Sequence, residues 1–264
     1  MDMLKRNLAP ISAEAWEEID EQAAAVLRTH LSARKAVRLN GPMGWDYTAV
    51  NEGRLDVLET EKDKVSTGIY KVKPLVEGRI EFKLNRWELD NITRGARDIA
   101  FDALEEAARQ LALFEENAVF NGYAAGNIEG LIPSSEHDAL DFGKTGSEVM
   151  TSVSEGVLTL KEHFQEGPFA LVVGKEAWNR IQMEVQGYPL HKRIEELLGG
   201  PIIFSTALDT AILVPFDHED LELTVGQDFS IGYQSHDNKD ITLFLTESFT
   251  FRVLDPALIV AYTL

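Results

Sequence analysis

The stretch "RLDVLETEKDKVSTGIYKVKP", residues 54–74, constrains this chain more than any other. Alternation at Leu55 and Val57, then at Tyr70 and Val72 with Lys71 and Lys73 between, predicts two strands over 54–60 and 65–73. The polar turn Glu61-Lys62-Asp63-Lys64 joins them. The hairpin has too few large apolar side chains to support itself. An isolated two-stranded ribbon is marginal in water, and its open edges invite pairing with another chain. No intramolecular cover is visible in the sequence, so the simplest cover is a neighbouring copy.

The chain has 264 residues, 44% of them hydrophobic, which is enough for a sizeable core in one large domain or two modest ones. The net charge of −19 argues against nucleic acid, because phosphate neutralisation needs clustered Lys and Arg. With no cysteine, a disulfide framework, a Cys-type zinc site and a thiol nucleophile are excluded. "MDMLKRNLAPISAEAW" has no apolar h-region and no apolar run approaches bilayer length. A cytoplasmic protein without a membrane partner is expected.

Ser12 is a natural cap for a helix over 13–33, with Trp16, Ile19, Ala23, Val26 or Leu27, and Leu31 on one stripe. "NGPMGW" is a turn, "EGRIEFKLN" a strand and "RWELDNITRG" a short helix. A second strong helix spans 99–121, with Leu104, Ala108, Leu111, Phe114 or Glu115, and Ala118 at helical spacing, and ends at Gly122. Residues 129–223 alternate helix and strand, and the chain then returns to strands, ending in the buried strand "ALIVAYTL". This nested order predicts an α+β body interrupted by an inserted α/β domain.

Motifs of catalysis are missing. "FGKTG" supplies half of a phosphate loop, but Asp138 stands where the first Gly belongs. There is no Gly-x-Ser-x-Gly elbow and no His-Glu-x-x-His. No two of the six histidines sit at metal-ligand spacing, so no metal site is expected. His30 reads as a packed histidine and His218 as a loop residue. The pairs Glu105-Glu106 and Glu115-Glu116 read as solvated or interface charge. Trp87, between Arg86 and Glu88, is a candidate for stacking a flavin; burial beneath the arm is the plainer expectation. No other cofactor is expected, and assembly is the leading class of function.

"LAPISAEAWEEID", "GPMGW", "RWELDN", "GNIEGLI", "GPFALVV", "GYPLHKR", "GQDFSIGY" and "LTESFTFRVLDP" occur in this order over nearly the whole chain. Together they resemble the shell protein of family 1 encapsulins, also called linocin-like proteins, which are similar in fold to tailed-bacteriophage major capsid proteins. The resemblance implies a peripheral body (1–45, 79–128, 224–264), an extended hairpin loop (46–78) and an inserted axial domain (129–223). It implies a non-enzymatic icosahedral shell of about 60 copies, the smallest complete icosahedral set. The shell would enclose a cargo enzyme, a ferritin-like iron oxidase or a dye-decolourising peroxidase, in iron storage or oxidative-stress defence. The competing readings are a phage capsid protein, which shares the fold, and an enzyme of the bacteriocin or protease label, against which the missing motifs argue.

Two surfaces carry over from the resemblance. A cargo-peptide groove on the inner face would use Leu27, Leu31, Arg34, Arg38, Asp228, Ile231 and Tyr233. Many relatives carry Asp in the segment after Val37, where this chain reads Arg38-Leu39-Asn40, so the charge pattern of its cargo peptide is expected to differ. A five-fold pore loop would use Gln186, Gly187, Tyr188, Pro189, Leu190, His191 and Lys192, with His191 giving the ring a pH response. The arm contacts between subunits would be Leu55, Val57, Ile69, Tyr70 and Val72.

Overall fold

The computed structural model describes residues 3–58, 65–183 and 187–264. The turn 61–64 and Gln186 lie outside the described residues. In chain order the elements are α1 (Ala13–His30), β1 (Arg38–Asn40), β2 (Ala49–Val57), β3 (Gly68–Pro74), β4 (Val76–Asn85), α2 (Arg86–Thr93), α3 (Asp102–Asn121), α4 (Leu131–Ser134) and β5 (Leu140–Asp141). There follow α5 (Gly146–Glu162), β6 (Phe169–Val173), α6 (Lys175–Gln182), α7 (Leu190–Leu198), β7 (Ile202–Phe204), β8 (Ala211–Pro215), β9 (Leu221–Val225), β10 (Ser230–His236), β11 (Asp240–Val253) and β12 (Val260–Thr263).

The first sheet is organised by β11. Its first part pairs with β10 on one edge and β4 on the other, from Asp240↔Asn85 to Phe249↔Val76. Its last residues pair with β9, which pairs in parallel with β1. Phe249 faces both Val225 and Val76, so β9 follows β10 along the same edge. Helices α1 and α3 pack on this sheet. Ser12 caps α1 by accepting from Ala15 N–H at 3.2 Å, and Ala15, Ile19, Ala23 and Leu27 form its buried stripe. Ile19, Ala23 and Leu27 meet Leu104, Ala108 and Leu111 of α3 and Ile231, Leu243 and Leu245 of the sheet. The first turn of the expected 99–121 helix is absent, because α3 begins at Asp102.

The second sheet has the order β5-β12-β8-β6-β7. Thr145 and Glu148 close a capping box at the start of α5, so "FGKTG" serves as a helix start. The sequence boundaries shift here. Strand β12 pairs with β8 and β5, so the end of the chain belongs to the sheet of the 129–223 region. The boundary at 223 also cuts β9, which belongs to the first sheet. The short apolar strand was legible as buried, but which sheet it joins is a tertiary choice. A shared core of Phe120, Leu131, Val172, Leu223, Phe251 and Leu258 joins the two sheets.

The arm is β2 and β3, a separate two-stranded sheet. Its register runs from Ala49↔Pro74 to Val57↔Gly68, with an irregularity between Asn51 and Leu55. Gly53 adopts φ +67° in that bulge, a conformation glycine takes at little cost. Leu55, Val57, Ile69, Tyr70 and Val72 are all exposed, between 48% and 74%. Among the described residues none covers them. Trp87 is not buried under the arm: it is 69% exposed, with the Arg94 guanidinium 5.7 Å from its ring.

Candidate functional site: a groove beside a buried charge cluster

Between α1 and β10 lies a groove of about 280 Å³. Leu27, Phe229, Ile231 and Leu245 give it apolar walls, and Arg6 and Asp20 sit together at its lip, 2.8 Å apart. The stripe of α1 places Leu27 there, and strand alternation places Phe229 and Ile231 on one face. The N-terminal segment forms a further wall. Leu4 carbonyl accepts from Tyr233 N–H at 2.8 Å, and Arg6 lies 3.9 Å over the Trp16 ring. This segment has no periodicity, so sequence reasoning missed Leu4 and Arg6; Asp20 lies on α1 and was missed because its partner, Arg6, comes from that segment. Phe229, directly after Asp228, could have been found from the alternation.

Of the residues expected in the groove, Leu27 and Ile231 line it. Tyr233 stands further along β10, its hydroxyl against His236 Nδ1. Leu31 is committed to the core beneath. Arg38 is engaged elsewhere, with its Nε 3.1 Å from an Asp217 carboxylate oxygen. Arg34 is held in a charge cluster that Asp228 joins through one carboxylate oxygen. The Arg34 fork donates to Glu115 at 2.8 and 2.6 Å, to Asp228 at 2.8 Å and, more weakly, toward Glu247 at 3.5 Å. Its carbon centre also lies 4.9 Å from the Phe229 ring, which ties the cluster to the groove wall.

Glu115 and Glu116 are fully buried within the subunit, against the expectation of solvated or interface charge. Glu115 points into the Arg34 cluster. Glu116 turns to the other side, where it accepts from Ser32 Oγ and from Ala33 N–H at 2.7 Å. Burial works against the charge of Arg34, but Glu115 and Asp228 outweigh it and raise its pKa above the ordinary value. Glu247, fully buried with Oε1 unpartnered, is pushed well up by burial and then by the Glu115 charge. Burial likewise pushes Glu116 up to about 7, against the donors from Ser32 and Ala33.

The consequence for stability has a definite sign. An acid whose folded pKa lies above its unfolded value stabilises the fold when protonated. That contribution is complete below the unfolded value of 4.5 and is lost as pH rises through about 7. The loss for Glu116 is on the order of 3 kcal/mol. Unfolding free energy measured from pH 5 to pH 8 is expected to fall, and Glu116→Gln to flatten that fall. A wild-type curve rising over this window would contradict the assignment.

The expected pore loop divides in two. Gly187, Tyr188 and Pro189 are exposed. Tyr188 hydroxyl donates to Glu196 at 2.7 Å, and Lys192 pairs with Glu195 at 2.7 Å. Leu190, 1% exposed, is a core residue at the start of α7 and so faces no pore. His191 is half-buried. Among the described residues no group of three or more His, Asp or Glu is gathered to hold a metal. No helix among them is long and apolar enough to cross a membrane.

Comparison with known proteins fits this architecture. Residues 1–250 match the linocin-type family described as an encapsulating protein for peroxidase. The chain is 39% identical to the type 1 encapsulin shell protein of Rhodospirillum rubrum, over 97% of this chain and 94% of that one. It is 34% identical to the type 1 encapsulin shell protein of Mycolicibacterium paratuberculosis, over 95% of each chain. Among solved structures, the virus-like particle from Pyrococcus furiosus has a TM-score of 0.71 at 17% identity, covering 95% of this chain and 100% of that one. The capsid of Myoviridae phage XM1 has a TM-score of 0.57 at 11% identity, over 88% of this chain and 92% of that one. These two likenesses establish the α+β fold of tailed-phage capsid proteins. The sequence relatives carry the name of a shell protein and not of an enzyme. The chain belongs to the type 1 encapsulin shell-protein family.

Proposed function

We propose that about 60 copies of this chain close into an icosahedral shell that encloses a cargo enzyme, captured by a terminal peptide in the α1–β10 groove. The exposed apolar arm carries the reading. Its side chains gain cover when β2 and β3 lie on neighbouring subunits, and closed symmetry repeats that contact around the particle. The peripheral body then corresponds to the first sheet with α1 and α3, and the axial domain to the second sheet with α5–α7. The reading as a phage capsid protein is weaker, since identity is 39% to an encapsulin and 11% to a phage capsid.

The groove suits an extended apolar peptide. Leu27, Phe229, Ile231 and Leu245 offer pockets, and the Arg6–Asp20 pair at the lip can orient charge. Arg34 and Asp228 act from behind the wall. The family description points to a peroxidase among the cargo classes, which would place the particle in oxidative-stress defence in the cytoplasm. Gly187, Tyr188, Pro189, His191 and Lys192 are the residues for a five-fold opening. Trp87 is the exposed face for a flavin.

Ala24 lines the groove and is half-exposed, so Ala24→Arg fills it without entering the core. Particles of Ala24→Arg are expected to keep their size and to lose at least about tenfold of the co-purifying protein, equivalent to ~1.4 kcal/mol or more of peptide binding. Quantitative mass spectrometry of purified particles reads this. An unchanged protein content would place capture elsewhere.

A further inference from the structure

The fold brings together two histidines that are far apart in sequence. His137 lies between α4 and β5, and His163 caps the C-terminus of α5. Their ring centroids are 4.8 Å apart. His137 Nε2 is 2.9 Å from the Ala257 carbonyl oxygen, and His163 Nδ1 is 2.8 Å from the Thr159 carbonyl oxygen. A carbonyl oxygen only accepts, so each of these nitrogens carries the hydrogen. The tautomers are thereby fixed, and His137 Nδ1 and His163 Nε2 are the nitrogens with free lone pairs. Metal-bound histidines are held in this way, with the second ring nitrogen donating to a carbonyl or carboxylate.

We propose that His137 and His163 form a two-histidine site for a late first-row divalent ion, Cu²⁺ before Ni²⁺ or Zn²⁺. Two imidazoles on one ion, with nitrogens about 2.0–2.1 Å from it at about 90–110°, put their centroids about 4.5–5.2 Å apart. The observed 4.8 Å falls in that interval. His163 is exposed and His137 half-buried, so water can complete the shell that no third side chain among the described residues completes. Neutral imidazole disfavours Mg²⁺ and Ca²⁺, which require oxygen, and the order among the late metals puts Cu²⁺ first. A bound ion would tie three segments together: the turn after α4, the end of α5 and the residues leading into β12.

The test uses assembled protein stripped with EDTA and dialysed against limiting CuSO₄. Retained metal per chain is read by elemental mass spectrometry, and its ligands by the electron paramagnetic resonance of Cu²⁺. One ion per chain with nitrogen coupling from two imidazoles is expected. His163→Gln changes an exposed side chain at a helix end and is expected to cut retention at least about tenfold. His137→Asn should do the same, and His218→Gln should leave both readouts unchanged. Retention and spectrum unaltered in His163→Gln, or lost in His218→Gln, would overturn the site and leave an edge-to-face ring contact.

Discussion

Arg34→Ala is expected to cost roughly 3–5 kcal/mol of subunit stability, the range for removing one member of a buried ion pair. Glu115 and Glu247 are fully buried beside the guanidinium, and no other cation bonds to them among the described residues. Without Arg34 these acids must ionise uncompensated or take up protons. The deficit should therefore be largest above neutral pH and shrink toward pH 5, where protonation relieves the repulsion. Arg34→Lys should be intermediate, because an ammonium cannot bind Glu115 through a bidentate fork. Denaturant unfolding of the variants at pH 5.5 and pH 8 reads both effects. An Arg34→Ala protein as stable as wild type, but poorer in cargo, would restore Arg34 as a peptide contact and contradict its place in the cluster.

The second large effect falls on assembly. Val57 is 74% exposed and Ile69 61%, so Val57→Asp with Ile69→Asp should leave the subunit core untouched. If the arm lies on a neighbour, each substitution forfeits ~1.5–3 kcal/mol of apolar burial and places a carboxylate in the contact. Repeated in every copy, that should abolish closed particles and leave folded subunits or small oligomers. Sedimentation velocity reports the size, and far-ultraviolet circular dichroism reports the fold. Wild-type particles from the double variant would remove the arm from the interface.

The sequence was legible where structure follows from local periodicity. Helix α1, its Ser12 cap and the apolar stripe through Leu27 needed only neighbours three and four positions away. The hairpin of the arm was legible from the alternation at Leu55 and Val57 and at Tyr70 and Val72, which the pairing of β2 with β3 matches. Glu115 was misread although a signal was present. It fits the stripe Leu104, Ala108, Leu111, Ala118 better than Phe114 does, and a carboxylate on a buried stripe requires a buried cation. That cation, Arg34, is distant in sequence, and no local pattern connects the two. The groove was half legible: Leu27 and Ile231 follow from α1 and β10, but Arg6 comes from an aperiodic segment whose position only packing decides. The same limit applies to β12, whose partners are chosen by tertiary structure.

The central claim is assembly, and the most direct measurement is particle mass and shape for the purified chain, by mass photometry with negative-stain imaging. A hollow sphere of about 1.8 MDa is predicted, about 60 copies of a 29.5 kDa chain. A monomer or small oligomer under native conditions would contradict the shell and leave the exposed arm in need of a different partner.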